Sequence, residues 1–526
     1  HSYIVFVICV VSKNINTTDY RDVRTSQGPV RGYKKPDFGI YVFYGVPYAT
    51  APKGKHRTMS EDCLLAYIFV PDTEKTNLPV MVYIHGGGLF WGSANLVTPK
   101  NFVRDKNVIV VTFNYRIGAL GFLCLGTDDV PGNAGMKDQV ALLRWVKENI
   151  ANFGGKADDV TLAGYSAGAL AVDIIMLSKM AEGLFTKVIP ESSTGLSAFS
   201  LQIDPIEHAK IFAKRKGFNN VDNFKELHDF FIDIKLEELM DRQSFPPNGI
   251  STFSLCIERN TSEEAFLTEP PYTILKTGNY KRVPMLYGVT DAEGLLLLPV
   301  YDEFSKLMNE DFASVLPGDL LFDNASQKAE VAAMVKQFYF KDQNITHETI
   351  PAYVNYFSDT YFILAFGRAV KLHVAAGHKE VYIYEYSYVD DDIAMFSQNT
   401  SYFGKLGADH CSQSFAVYEG IFVPDDESTL TENFIHMKNV TRELWYNFMT
   451  TSKPVPEDST LPRWPAVGAD RSPHMSINMN LELRGPILKE RLDFWEKIYD
   501  KYYNIPSPPI LSYGAKVMFW LFCYKR

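Results

Sequence analysis

A serine flanked by glycines, in the segment Gly164–Gly168 (GYSAG), lies where a strand gives way to a helix. The apolar run Val160–Leu162 predicts the strand, and Ala167–Leu177 has a composition compatible with a helix. A serine on such a sharp turn projects its hydroxyl into a cleft, and the helix N-terminus stabilises negative charge beside it. The arrangement is typical of an acyl-transfer nucleophile at Ser166; the alternative is a glycine-rich turn without chemistry.

A second glycine-rich segment, His85–Gly88 (HGGG), directly follows the predicted strand Val80–Ile84. Consecutive glycines let backbone N–H groups converge because no Cβ blocks unusual dihedral angles. Donors at Gly87 and Gly88, together with the N–H of Ala167, would form an oxyanion hole for a tetrahedral intermediate. A phosphate-binding loop is the competing interpretation, but the Lys and Ser/Thr of a P-loop are missing. The two segments together indicate acyl transfer.

A serine nucleophile needs a base, which a carboxylate orients, and serine enzymes of this layout carry them in the chain order serine, acid, histidine. The histidines after Ser166 are His208, His228, His347, His373, His378, His410, His436 and His474. Residue types alone leave the choice among them open, since a lone histidine is more often a surface or core residue. The same holds for Glu293, which follows the predicted strand Val283–Gly288 in a short polar loop.

The elements that must position these groups alternate between strand and helix. Besides the strands already named, Val108–Phe113 and Val381–Tyr386 are β-branched or aromatic runs, and Gln139–Ile150 has amphipathic helical spacing. Such alternation predicts an α/β fold with a mostly parallel central sheet flanked by helices. Sites in these sheets gather beyond the carboxyl ends of the strands, where both glycine-rich segments fall.

Composition excludes several other classes of protein. The 526 residues contain no repeat or linker, so we predict a single domain over residues 13–526. A net charge of -10 argues against a nucleic-acid partner. There is no H-E-x-x-H motif and no C-x-x-C pair among the six cysteines, so we expect no metal and no cofactor.

The start of the chain indicates export. The apolar run Tyr3–Val11 is too short to span a bilayer but suits the core of a signal peptide, so residues 1–12 are interpreted as a signal remnant, with a buried strand as the alternative. Val517–Tyr524 is also too short to span. Six glycosylation sequons lie at Asn16, Asn260, Asn324, Asn344, Asn399 and Asn439. We therefore expect a secreted, extracellular glycoprotein with disulfide bonding and no stable membrane span.

Several long segments resemble the carboxylesterase/cholinesterase family, and most of all insect-type carboxylesterases. The resemblance extends over nearly the whole chain. It is carried by Phe43–Ala49 (FYGVPYA), Ser60–Leu64 (SEDCL), Asn114–Arg116 through Phe122, Pro131–Asn133 through Asp138–Gln139, Arg491 and Phe494–Trp495, in addition to the two glycine motifs. It implies an α/β-hydrolase fold and a serine carboxylic ester hydrolase that acts through an acyl-enzyme.

The resemblance also selects the remaining site residues. Gly288–Gly294 (GVTDAEG) is similar to the family's acid motif, which implies Glu293 as the acid and leaves Asp291 as a solvated neighbour. Gly407–His410 (GADH) is similar to the histidine motif, which implies His410 as the base. The implied triad is therefore Ser166, Glu293 and His410.

The chain departs from the family pattern at four places. Tyr165 stands where a glutamate usually precedes the serine, and Gln413 stands where many members have an acid. Ser192–Thr194 (SST) replaces a frequent S-G-S, which implies an altered contact near the site. Between Arg57 and Ser60 several dozen residues of the pattern have no counterpart, among them the usual disulfide partner of Cys63 and the tryptophan that binds choline in cholinesterases.

The resemblance implies hydrolysis of lipophilic or xenobiotic esters. Juvenile hormone, odorant esters and xenobiotic esters all remain possible substrates. Acetylcholine is disfavoured, because the segment that carries the choline-binding tryptophan is missing. Two alternatives remain. One is a catalytically silent, cholinesterase-like adhesion or binding protein, since one fold hosts either role. The other is a sequestering esterase that acylates once and turns over slowly.

Overall fold

The computed structural model describes residues 19–50, 63–239, 245–260, 264–390 and 406–510. Both terminal apolar runs and the interruption between Arg57 and Ser60 lie outside these ranges. The strands are β1 Tyr20–Thr25, β2 Gly28–Lys35, β3 Ile40–Pro47, β4 Leu65–Pro71, β5 Leu78–Ile84, β6 Val97–Thr98, β7 Ile109–Phe113, β8 Gly155–Tyr165, β9 Lys187–Glu191, β10 Met285–Thr290, β11 Val381–Tyr386, β12 Glu419–Gly420, β13 His474–Ile477 and β14 Leu481–Arg484.

The α-helices lie mostly between the later strands. Their bounds are α1 Lys100–Lys106, α2 Gly118–Phe122, α3 Ala134–Asn149, α4 Ala167–Leu177, α5 Pro205–Arg215, α6 Phe224–Asp233, α7 Leu236–Leu239, α8 Pro271–Thr277, α9 Tyr301–Glu310, α10 Ala325–Phe340, α11 Ile350–Ser358, α12 Leu364–Ala375, α13 Ser412–Val417, α14 Glu432–Thr451 and α15 Lys489–Tyr502. No helix within the described ranges is both long and apolar enough to cross a bilayer.

Twelve strands of the described residues form one sheet, in the order β1-β2-β3-β4-β7-β5-β8-β9-β10-β11-β13-β14. The strands from β7 to β13 in this order run parallel, while β1 to β4 at one edge and β14 at the other pair antiparallel. The predicted mostly parallel central sheet is therefore confirmed.

Helices cover both faces of the sheet because the central strands are apolar on both sides. On β5, Val82 points into the core with α3 and α4, whereas Tyr83 points into the core with α14. Within the described residues, one disulfide joins Cys124 to Cys256. The two layers bury the sheet and leave its carboxyl edge as the place where loops converge.

The predicted central strands are all present, with shifted ends. β8 begins at Gly155, five residues before the predicted apolar run, because Gly155 already pairs with Leu78 of β5 before a shift in register. Helix α3 begins at Ala134 rather than Gln139, after Asn133 in a left-handed conformation. Helix α4 covers the predicted residues Ala167–Leu177.

Candidate active site

Ser166 occupies the turn between β8 and α4 in a conformation that few side chains adopt. Its backbone has φ 54° and ψ -124°, and its N–H donates to the carbonyl oxygen of Glu191 at 2.8 Å. A Cβ at Gly168 would lie 2.1 Å from the carbonyl oxygen of Ile84, and one at Gly164 would lie 2.8 Å from the backbone of Gly168. The two glycines are thus required because the turn packs directly against the end of β5. Strain of this kind is typical of a nucleophile turn.

His410 lies beside the serine although 244 residues separate them in the chain. Its Nε2 accepts from the Ser166 hydroxyl, with 2.9 Å between Nε2 and Oγ. Its Nδ1 donates to a carboxylate oxygen of Glu293. Within the described chain, His410 is the histidine that contacts Ser166. The imidazole is therefore held with one nitrogen toward the hydroxyl and the other toward an acid.

Glu293 is fully buried, so the predicted polar loop is wrong for this residue. Its second oxygen accepts the N–H of Thr290 at 2.8 Å. The residue begins a 3₁₀ helix, Glu293–Val300, whose apolar side chains pack inward. A Cβ at Gly294 would lie 2.1 Å from the carbonyl oxygen of Val354, so the backbone packs closely against α11. This packing excludes water from the carboxylate, whose two oxygens are instead bonded by the local N–H of Thr290 and by the distant His410 ring.

The glycine loop lies against the nucleophile turn, as its place after β5 requires. Gly87 and Gly88 have φ values of 106° and 62°, and a Cβ at Gly86 would lie 2.9 Å from the Cβ of Ser166. Tyr115 holds the loop by stacking on His85 and donating to its carbonyl oxygen at 3.0 Å. Burial lowers the pKa of His85 to about 4, so its ring is neutral at pH 7.

The three N–H groups predicted to form an oxyanion hole have no partner within the described chain. The backbone and side-chain hydrogen bonds of the described residues do not engage the N–H of Gly87, Gly88 or Ala167. Ala167 is the first residue of α4, so its N–H is one that the helix itself leaves unsatisfied. The arrangement can stabilise negative charge that develops beside Ser166 Oγ.

Asp291 is not the solvated neighbour that the sequence indicated. It accepts the N–H of Ala408, two residues before His410, at 2.7 Å. Burial raises the pKa of Asp291 to about 7; the Ala408 N–H opposes the shift and the charges of Glu385 and Glu293 add to it. The Asp291 side chain therefore connects the segment Gly407–His410, which we call the histidine loop, to the end of β10.

This raised pKa predicts a pH-dependent gain in stability for Asp291→Asn. The pKa of this carboxyl is near 3.9 in the unfolded chain and about 7 in the folded chain. Its contribution to stability is therefore fully present below pH 4 and is lost as the pH rises through 7. Asparagine can keep the bond to Ala408 and cannot ionise. The Tm of the variant relative to the parent should therefore be higher at pH 8.5 than at pH 5.

Asp22→Asn is the matched control for that measurement. Asp22 is exposed, and its hydrogen bond with Arg31 keeps its pKa below the usual range, so its stabilising effect is already complete at pH 5. Its Tm difference from the parent should stay flat between the two pH values. If the Tm difference between Asp291→Asn and the parent is also the same at both pH values, the raised pKa of Asp291 is contradicted.

The departures at positions 165, 192 and 413 lie together. Tyr165 is buried and stacks on Tyr83, with 6.0 Å between ring centroids, so no carboxylate stands directly before the nucleophile. Gln413 Nε2 donates to Ser192 Oγ at 2.7 Å, so two of the departures contact each other. Sequence reasoning missed the carboxylate next to them, Glu191, whose only local signal is an acid at the end of a buried strand.

Comparison with known proteins decides the family. The pattern of the Carboxylesterase family matches residues 55–495. The chain belongs to the carboxylesterase family. As a member it is a serine carboxylic ester hydrolase with the α/β-hydrolase fold, as the sequence predicted.

The relatives include insect enzymes. The chain is 30% identical to a juvenile hormone esterase of Tribolium castaneum over 76% of this chain and 72% of that one. It is 31% identical to a juvenile hormone esterase of Heliothis virescens over 84% of this chain and 78% of that one. The crystal structure of juvenile hormone esterase from Manduca sexta, with OTFP covalently attached, superposes with a TM-score of 0.79 at 29% identity and covers 92% of this chain and 100% of that one.

The described residues of this carboxylesterase hold no group of three or more His, Cys, Asp or Glu side chains arranged to bind a metal ion.

Proposed function

We propose that this carboxylesterase hydrolyses lipophilic carboxylic esters with Ser166 as nucleophile, His410 as base and Glu293 as the orienting acid. The observation that carries the proposal is the continuous hydrogen-bonded chain from Ser166 Oγ through the His410 ring to the buried Glu293 carboxylate. This order of groups is what activates a serine hydroxyl at neutral pH.

In the first half of the reaction, Ser166 Oγ attacks the ester carbonyl carbon while His410 Nε2 takes the hydroxyl proton. The N–H groups of Gly87, Gly88 and Ala167 stabilise the oxyanion that forms. The tetrahedral intermediate collapses, the C–O bond to the alcohol breaks, and His410 returns the proton to the leaving alkoxide. An acyl-serine and a free alcohol result.

In the second half, His410 removes a proton from water, and the hydroxide oxygen attacks the acyl-serine carbonyl. The second intermediate collapses with release of the acid, and the proton passes from His410 to Ser166 Oγ. Throughout, Glu293 accepts the Nδ1 hydrogen of His410, which fixes the ring tautomer and stabilises the imidazolium.

Support for a lipophilic substrate comes from a series of aromatic rings that we name the aromatic arc: Phe362, Phe199, Tyr361, Phe245 and Phe90. It starts at His410, whose ring centroid lies 4.3 Å from that of Phe362. Successive rings lie between 5.3 and 6.3 Å apart, and the last, Phe90, packs on Gly88 of the glycine loop. The arc thus joins the base to the oxyanion side and offers apolar surface to an acyl chain or an alcohol.

The conformation at the start of the arc has a local cause. Phe362 lies in a π-helical turn, Asp359–Ile363, between α11 and α12. Such turns displace side chains from the regular helical register and are frequent at functional sites. Phe90 and Phe245 at the far end are half-buried, whereas Phe199 and Phe362 are buried. The partly exposed end is where an apolar substrate would lose contact with water.

The test is the hydrolysis of p-nitrophenyl acetate, butyrate and hexanoate. If the arc receives the acyl chain, kcat/KM should rise by up to about fourfold for each methylene buried, because a buried CH₂ contributes about 0.8 kcal/mol. Phe245→Ala should lower kcat/KM about tenfold for hexanoate and change it less than about twofold for acetate.

Phe230→Ala is the matched control, since Phe230 is also half-buried but packs on Phe218 of another part of the fold. It should leave the chain-length trend unchanged. A wild-type preference for acetate, or an equal loss on all three esters in Phe245→Ala, would contradict the acyl role of the arc. No hydrolysis of any ester by the folded protein would contradict the function itself and favour an adhesion or binding role.

The time course separates a fast esterase from a sequestering one. A sequestering protein would release one equivalent of p-nitrophenol rapidly and then proceed slowly, because deacylation would limit it. We expect no rapid release of one equivalent followed by slow turnover, since in the proposed mechanism His410 activates water in the second half of the reaction as it activates Ser166 in the first. Secretion and glycosylation remain part of the proposal, and the side chains of Asn260, Asn324, Asn344 and Asn439, each the first residue of a sequon, are exposed.

A further inference from the structure

Glu191, at the end of β9, is a fully buried carboxylate that the reaction scheme does not use. Three side chains donate to it: the Tyr83 hydroxyl at 2.9 Å, the Trp445 indole N–H at 2.7 Å, and the Ser414 hydroxyl. No described lysine, arginine or histidine forms an ion pair with it. A buried acid kept without a cation and surrounded by donors needs an explanation, because burying a charge is costly.

The contacts of Glu191 connect the two sides of the catalytic pair. Its backbone carbonyl accepts the N–H of Ser166 at 2.8 Å, and its side chain holds Ser414 in α13, which begins two residues after His410. The neighbouring Ser192 accepts from Gln413 of the same helix at 2.7 Å. We name Glu191, Ser192, Gln413 and Ser414 the clasp, since these residues hold the strand that supports the nucleophile against the helix that follows the base.

The donors around Glu191 suit a carboxylate rather than a carboxylic acid. An indole N–H can only donate, and a protonated acid would need one of its hydroxyl neighbours to reverse and accept. The other titratable groups near it are Tyr165 from β8, Tyr384 from β11, Cys411 beside the base, and Tyr418 after α13. Burial raises the pKa of all four, so they are neutral around pH 7. The Glu293 carboxylate also acts on Tyr384 and Cys411, and Arg442 and Glu419 act on Tyr418.

We propose that Glu191 is a positioning residue for ester hydrolysis, which as a carboxylate holds Ser414 and so keeps His410 in register with Ser166. The proposal rests on the proposed roles of Ser166 and His410. Protonation of Glu191 removes one of its donor contacts and loosens the clasp, which lowers the rate of the chemical steps without changing the surface that binds substrate.

Burial raises the pKa of Glu191 to about 7, against the three hydrogen bonds from Ser414, Trp445 and Tyr83 that lower it. The carboxylate therefore forms as the pH rises through neutrality. Ionisation of Glu191 should therefore produce a step in the plot of kcat against pH, centred near pH 7. Below this step kcat should be about tenfold lower than above it, because the protonated side chain no longer holds the clasp.

The experiment compares wild type with Glu191→Gln over the pH range of activity. Glutamine fills the same space, cannot ionise, and turns an NH₂ group toward at least one of the three donors. We expect kcat to fall about tenfold at the optimum, KM to change less than about twofold, and the step near pH 7 to disappear from the kcat profile.

Ser414→Ala provides a second variant, which keeps the carboxylate and removes one donor. It should lower kcat by a smaller factor and keep a pH-dependent step, because Glu191 can still ionise. Asp319→Asn is the matched control: Asp319 is also buried and accepts from Tyr499, but it lies outside the clasp, so its replacement should leave the kcat profile unchanged.

An unchanged kcat and an unchanged step near pH 7 in folded Glu191→Gln would overturn the inference. So would a loss of kcat that matches the unfolded fraction measured by circular dichroism. These results are distinct from failure of the proposed function, which would appear as wild-type protein that hydrolyses no ester or as Ser166→Ala with wild-type activity.

Discussion

Replacing Ser166 with alanine is expected to lower kcat for p-nitrophenyl butyrate by about a million-fold, the order found when a serine nucleophile of this kind is removed. In the proposed mechanism Ser166 Oγ is the atom from which His410 takes the proton, and alanine offers no hydroxyl at that place. The variant should still hydrolyse the ester about a thousandfold faster than the uncatalysed reaction in water, because the proposed oxyanion N–H groups and the substrate-binding surface remain.

Ser193→Ala is the control for this prediction. Ser193 is buried two residues after the end of β9. Its hydroxyl oxygen lies 3.3 Å from that of Ser197, and neither takes part in the hydrogen bonds among Ser166, His410 and Glu293. Steady-state kinetics should show wild-type kcat in this variant to within a few fold. Equal rates in Ser166→Ala and wild type, with both proteins folded, would assign the hydrolysis to another group.

Glu293→Gln is expected to lower kcat by about ten-thousandfold with a small change in KM. The amide oxygen can keep the N–H of Thr290, which leaves the NH₂ group facing His410 Nδ1. That nitrogen must then accept, so the ring hydrogen moves to Nε2 and points at the Ser166 hydroxyl, where a lone pair is needed. The base is present in this variant but in the wrong tautomer.

Glu385→Gln is the control for that variant, since Glu385 is a partly buried carboxyl of the adjacent strand β11 that makes no contact with His410. The two variants should be compared at several pH values with the same ester. A Glu293→Gln enzyme within tenfold of wild type would show that the buried acid does not set the tautomer.

The sequence predicted the central sheet because its strands are continuous apolar runs, as in Leu78–Ile84, and it predicted the nucleophile turn because glycines at 164 and 168 allow close packing. It could not choose His410 among eight histidines without the family resemblance. The choice depends on a contact between residues 244 positions apart, which no local pattern encodes.

The same physical reason explains what sequence reasoning missed around Glu191. Its three donors lie 108, 223 and 254 residues away in the chain, on β5, α13 and α14. The family resemblance assigned the acid role to Glu293 and left Asp291 as a solvated neighbour, but in the fold Asp291 accepts the N–H of Ala408. Burial of a charged group is a property of the assembled layers, so it appears only with the tertiary structure.

The most direct test of the central claim is to locate the covalent intermediate. The protein would be treated with diethyl p-nitrophenyl phosphate, which transfers its phosphoryl group to a serine that attacks it, and the product would be examined by intact-protein and peptide mass spectrometry. We predict one label per chain, on the peptide that contains Ser166, and none in Ser166→Ala. A label on another serine, or unlabelled protein that still hydrolyses esters, would contradict the account.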